Sequence, residues 1–121
     1  MAWSHYRDMI VWQKAMDLTN EIYRLAKLLP KEEQFSLSDQ MRRAAVSVPS
    51  NIAEGHGRLS EKDFRHFLSV AKGSVNELQT QLYICVRQQF FTEKQAEEAF
   101  SLCDEVGKIL TKLITAPPSK N

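Results

Sequence analysis

At 121 residues, 16 of them basic and 15 acidic, the chain carries a formal charge of +1, which argues against a generic polyanion binder and leaves room only for a local basic patch. The length fits one domain that buries about two-thirds of its unfolded surface, enough to fold without metal or disulfide. No stretch approaches a membrane span, the opening MAWSHYRDM lacks an apolar signal core, and Cys85 and Cys103 cannot form a disulfide framework; a cytoplasmic protein is the simplest reading.

From Met9 to Leu29 the residues Ile10, Val11, Ala15, Met16, Leu18, Ile22, Leu25, Leu28 and Leu29 recur mostly at three- and four-residue steps. That period predicts a helix over 9–29, with Asp8 as N-cap and Pro30 as the stop. Trp12 and Tyr23 widen its apolar stripe, while Lys14, Asp17, Glu21, Arg24 and Lys27 alternate in sign on the solvated face.

Three box-like starts follow. Ser36 precedes Asp39 by three residues, Ser60 precedes Asp63, and Thr92 precedes Gln95. They open helices predicted over 37–54, 61–89 and 93–115, the second ended by Gly55 and Gly57 and the last by Pro117-Pro118. The third helix presents Phe64, Phe67, Leu68, Ala71, Val75, Leu78, Leu82 and Cys85 to a core; the fourth presents Ala96, Ala99, Phe100, Cys103, Val106, Leu110, Leu113 and Ile114. Short connections make successive helices antiparallel, so the expected fold is all-α, an up-down-up-down four-helix bundle. A turn centred near Phe90 sets Cys85 and Cys103 seven residues out of register, about 10 Å along the helix, so both are expected as buried free thiols.

On a helical wheel the second helix has three faces. Leu37, Met41, Ala44, Ala45, Val48 and Ile52 form the core stripe. Gln40, Arg43, Ser47, Ser50, Asn51 and Glu54 form a continuous polar stripe, and Arg42, Val46, Pro49 and Ala53 the remaining face. Pro49 deprives the Ala45 carbonyl of its donor, and a kink there is expected, softened by Ser47 or Ser50. Solvated faces favour Lys, Glu and Gln over Ser and Asn, so the stripe reads as a solvated face, a ligand surface, or a buried hydrogen-bonding seam within or between subunits. A buried seam would have to satisfy Arg43 and Glu54 together.

The segment from Gln40 to Arg58, with Arg42-Arg43-Ala44, Ser47 to Gly55 and Gly57-Arg58, resembles the signature of the four-helix bundle family named for proteins encoded in intervening sequences of bacterial 23S rRNA genes. Tyr6 to Lys27 resembles that family's first helix, and the likeness continues through Phe64, Phe67, Leu68, Ala71, Glu77 and Leu82, covering about 6–113. The resemblance implies a ring-like homo-oligomer, a pentamer, and similarity to accessory proteins of diversity-generating retroelements, which associate with a reverse transcriptase and nucleic acid. It supplies no enzymatic activity.

For function, Lys62, Arg65 and Lys72 share one face of the third helix with Ser69 and Asn76, and Arg58 just before the helix extends it. Such a row follows a phosphate backbone and is the candidate site for RNA or DNA, RNA favoured; the plain alternative is an ordinary solvated face. A protein-interaction or structural homo-oligomer is the competing reading, using Val46, Pro49 and Ala53 beside Arg42, with Trp3, Tyr6 or Tyr83 as aromatic anchors. The histidines His5, His56 and His66 show no metal-binding spacing, and Ser47, Ser50 and Asn51 have no adjacent base, so no enzyme, metal or cofactor is expected. His56 at a helix end reads as a favourable charge on the dipole.

Overall fold

Residues 3–117 are described by a computed structural model. They form α1 (Ile10–Ala26), α2 (Leu37–His56), α3 (Glu61–Arg87) and α4 (Glu97–Thr115), with single 3-10 turns at Tyr6–Asp8 and Lys31–Glu33. Each helix packs against its sequence neighbours, and α1 closes the square against α4. The direction of each helix follows from the two ends. At one end Trp3, ahead of α1, meets Phe64 early in α3; His56 at the end of α2 meets Trp3 and Tyr6; Arg65 reaches Ala116 beyond α4. At the other, the end of α1 meets the start of α2 through Ser38 and Ala26, and the approach to α4 through Arg24 and Gln95. That arrangement is the up-down-up-down bundle.

The predicted stripes supply the core: Leu18, Ile22, Leu25, Met41, Ile52, Leu68, Leu78, Leu82 and Leu110 are fully buried. The apolar stripe predicted for α1 is too broad. Ile10 is 61% exposed, and Met16, Leu28 and Tyr23 lie largely on the surface, because a helix in a four-sided bundle buries only an arc of about 100°. Phe100, Leu113 and Ile114 are partly buried at the margin of the core. Lys14 bridges to Glu105 at 2.6 Å, a surface tie between α1 and α4, and this partner raises the Lys14 pKa.

The helix ends differ from expectation in specific ways. Asp8 is not the cap of α1: it lies inside the 3-10 turn, and Met9 caps the helix with no side-chain bond. Ser36 accepts from its neighbour Leu37 N and not from the Asp39 amide, while Asp39 turns to Arg43; there is no Ser36–Asp39 box. The Ser60 hydroxyl does accept from Asp63 N at 3.1 Å. Thr92 and Gln95 form the full reciprocal pair, each side chain accepting from the other's backbone amide, but this box closes a turn one step ahead of α4.

Gly55 does not stop α2. It is buried within the helix, where an added Cβ would lie 3.0 Å from the Phe67 Cβ and 3.2 Å from the Phe64 carbonyl. Only hydrogen lets the two helices approach so closely. The α3 stop comes two residues before the expected one: Gln89 takes a left-handed φ of 64°, and Phe90 N donates to Cys85 O at 2.9 Å, the six-to-one bond of a Schellman motif. At the C-terminus Ala116 is already extended, so α4 ends before Pro117; Pro118 of the expected stop lies outside the described residues.

Pro49 is accommodated inside α2 by a partner that the helix itself does not contain. The Thr19 hydroxyl of α1 donates to the Ala45 carbonyl at 3.2 Å, sharing its proton with Ala15 O at 2.9 Å. The expected help from Ser47 or Ser50 is not what occurs. Ser38 is fully buried and donates to Ala26 O at 3.0 Å, satisfying a carbonyl at the end of α1.

Cys85 and Cys103 are buried free thiols, as the register argument required. Burial pushes them up to about 11 and about 12 respectively. Cys85 Sγ lies 3.7 Å from Met41 Sδ in the α2–α3 core. Among the described residues no helix is long and apolar enough to cross a membrane.

Candidate nucleic-acid interface

The polar stripe of α2 separates into two unlike parts. Ser47 and Asn51 turn into the α2–α3 seam: the Ser47 and Ser74 hydroxyls are 2.8 Å apart, and Asn51 Nδ2 donates to Ser47 O at 2.8 Å and Ser47 Oγ at 3.0 Å. This is an intramolecular clasp between helices whose approach is set by the small residues Ser47, Ser74 and Gly55. Gln40 and Ser50 are exposed. Arg43 pairs with Asp39 at 3.1 Å and Glu54 pairs with Arg58, both on the surface. Arg43 and Glu54 therefore do not share a buried network, and neither needs to: each has a local partner one turn away and water around it.

The cations read as one row also separate. Lys62 is exposed at the second position of α3. Arg65 is partly buried, donating to Ala116 O at 2.7 Å and standing 3.9 Å from Glu61. Lys72 donates to Asn76 Oδ1 at 3.1 Å, and its Nζ would stand 3.5 Å from a Cβ added to Gly107 of α4. Arg65 and Lys72 lie along the α3–α4 side of the bundle, and Lys62 stands on the exposed face of α3 one turn before Arg65. Arg58 does not extend them. It pairs with Glu54 and sets its guanidinium 4.6 Å from the centre of the Phe67 ring, and Phe67 packs on Gly55 of α2. Arg58 therefore stands on the opposite flank of α3, held by a carboxylate and an aromatic face.

What sequence reasoning missed is the other wall of the groove. Lys72 lines it with Gly107, Lys108 and Thr111 of α4, and Gln79 and Asp104 close its far end. Lys108 pairs with Asp104 at 3.0 Å and remains exposed. The signal was available in the sequence, since Asp104, Lys108 and Thr111 recur at helical spacing. It becomes legible only once α4 is placed antiparallel to α3. The groove then continues past Gln79 and Asp104 into a wider section lined by Tyr83, Phe100, Glu93 and Glu97. One furrow thus runs along α3 and α4, cationic in the half near Arg65 and acidic and aromatic in the other.

His56 is occupied structurally. Its Nε2 lies 3.0 Å from Trp3 O and its ring meets Tyr6 edge-on, pinning the N-terminal segment across the end of the bundle. The apolar face of α2 gains neighbours from α1: Tyr6, Trp12 and Met16 join Val46, Pro49 and Ala53 around a second furrow. Among the described residues no cluster of three or more His, Cys, Asp or Glu side chains is arranged to hold a metal ion.

A crystal structure of a protein of unknown function from the S23 ribosomal protein family of Bacteroides thetaiotaomicron matches this fold with a TM-score of 0.82, at 28% sequence identity over 88% of this chain and 100% of that one. No curated protein matches the chain. Neither that structure nor the family description below names an enzymatic activity. With a four-helix bundle in hand, and residues 7–112 matching the model of the 23S rRNA-intervening sequence protein, the chain belongs to that family.

Proposed function

We propose that this chain is a non-enzymatic, self-associating scaffold that binds nucleic acid, RNA favoured, through the cationic half of the α3–α4 groove. The observation that carries the reading is the convergence of Lys72 and Lys108 on a stretch of groove floored by Gly107, with Arg65 and Lys62 continuing the line along α3. Glycine at that point lets the Lys72 side chain lie across α4, its Nζ 3.5 Å from where a Cβ would stand. Three or four phosphate contacts per subunit bind weakly alone, and a ring of subunits multiplies them without a strongly basic chain.

The test is an RNA mobility shift measured at low and physiological salt, with light scattering on the same samples. The triple variant K62E/R65E/K72E is expected to abolish the salt-sensitive shift and leave the oligomer intact. Unchanged RNA binding by that variant overturns the assignment. A second reading, a structural homo-oligomer with no nucleic-acid role, rests on the furrow of Tyr6, Trp12, Met16, Val46, Pro49 and Ala53. Its association, driven by apolar burial, is expected to change little with salt.

A further inference from the structure

The acidic half of the groove has a composition that the nucleic-acid reading does not use. Tyr83 of α3 is 57% exposed and its ring lies 4.7 Å from that of Phe100 of α4, so a broad aromatic face is presented to solvent. Glu93 rises beside it from the turn ahead of α4 and Glu97 from the first residue of α4, Gln79 and Asp104 complete the floor, and the cavity holds about 620 Å³. Lys94 is the cation among the lining residues, against three carboxylates. Among the described residues neither Glu93 nor Glu97 is held in an ion pair, in contrast to Asp104, Glu105, Glu54 and Asp39.

Phosphate is repelled here. A planar cation is not: a guanidinium lies flat on an exposed aromatic face and donates at the same time to carboxylates at its edge. We propose that this half of the groove docks an arginine-bearing segment of a protein partner, with Tyr83 as the stacking surface and Glu93 and Glu97 as the acceptors. An open furrow along two helices, and not a closed pocket, fits an extended peptide better than a small metabolite. The stacking and acceptor residues Tyr83, Glu93 and Glu97 lie outside the cationic half, which meets this one at Gln79 and Asp104.

The experiment is a titration of the full chain with a blocked tetra-arginine peptide and, separately, a blocked tetra-lysine peptide of equal charge, followed by NMR of the aromatic side chains. Both peptides are expected to shift the Tyr83 and Phe100 ring signals, the arginine peptide more tightly. Tyr83→Ala is expected to weaken the arginine peptide by about threefold to fivefold, the size of an exposed cation–aromatic contact, and Tyr83→Phe to preserve it. Glu93→Gln with Glu97→Gln weakens both peptides. Equal affinity of the two peptides, or no loss in Tyr83→Ala, overturns the proposal. So do two further results: the same ring signals shifting on addition of RNA, or the Gln variants reducing particle size without altering peptide binding. The first makes the furrow one continuous nucleic-acid site, and the second makes this half a contact between copies.

Discussion

Removing the Thr19 hydroxyl should expose the cost of placing Pro49 inside α2. Proline at that position takes away the amide that would bond the Ala45 carbonyl, and Thr19 Oγ1 supplies a donor from α1 at 3.2 Å. Thr19→Val keeps the shape and the β-branch, so packing and helix propensity change little. A buried carbonyl left without a donor costs about 1–3 kcal/mol. The low end applies, about 1 kcal/mol, because the Thr19 proton is shared with Ala15 O and the site is only partly buried. In a domain of this size that loss moves the melting temperature by about 4 °C. The informative measurement is the double-mutant cycle with Pro49→Ala, by urea denaturation. Pro49→Ala restores the helix's own amide to the Ala45 carbonyl, so Thr19→Val should cost little in that background, with a coupling of about 0.5–1 kcal/mol between the sites. An identical cost of Thr19→Val in both backgrounds refutes the reasoning.

The glycines and thiols make two further predictions. Gly55→Ala places a methyl group 3.0 Å from Phe67 Cβ and 3.2 Å from a backbone carbonyl, and should destabilise by about 1–3 kcal/mol in the same denaturation assay. Gly73→Ala meets nothing within 4 Å and should stabilise by about 0.5–1 kcal/mol through helix propensity alone. With pKa values raised to about 11 and about 12 by burial, Cys85 and Cys103 should resist a thiol reagent at pH 8 in the folded chain and react fully in denaturant. Both folded values lie above the ordinary 9.0, so the stability they contribute is whole below about pH 9 and falls as pH climbs toward 11–12. Cys103→Ala should flatten that alkaline decline; an unchanged slope by thermal denaturation counts against it.

The bundle was legible because apolar period, box-like starts and short connections agree, and each depends on residues near one another in sequence. The errors share a physical origin. Gly55 looks like a stop until the Phe67 Cβ and the Phe64 carbonyl are placed against it, and Gln89 does not look like one until Phe90 and Cys85 are joined across it. Thr19 and Ser38 are ordinary helix positions whose roles depend on carbonyls contributed by other parts of the chain. The candidate site shows the same division. Lys62, Arg65 and Lys72 could be read as a face from α3 alone, whereas Lys108 and Gly107 join them only through the antiparallel pairing with α4. Sequence proximity puts Arg58 in the row, but Glu54 and the Phe67 ring hold it elsewhere.

The charge gradient along α4 has an explanation that requires no ligand. Glu97 and Glu98 occupy its first turn and Lys112 its last, the placement that a helix dipole favours. Helix α3 runs the other way, so the cations it aligns with the end of α4 sit at its own N-terminus, where positive charge is unfavourable by about 0.3–1 kcal/mol. Lys62 is the residue for which stability gives no account: it stands in the first turn of α3, one turn from Arg65, and is exposed. Lys62→Gln should therefore raise the melting temperature slightly, by removing a cation from the wrong end of a helix and from the neighbourhood of Arg65. If the nucleic-acid reading holds, the same change should weaken RNA binding and reduce the slope of log affinity against log salt by roughly 0.7–0.9, one phosphate contact. A stabilised variant with undiminished RNA affinity would remove Lys62 from the interface and leave its charge unexplained.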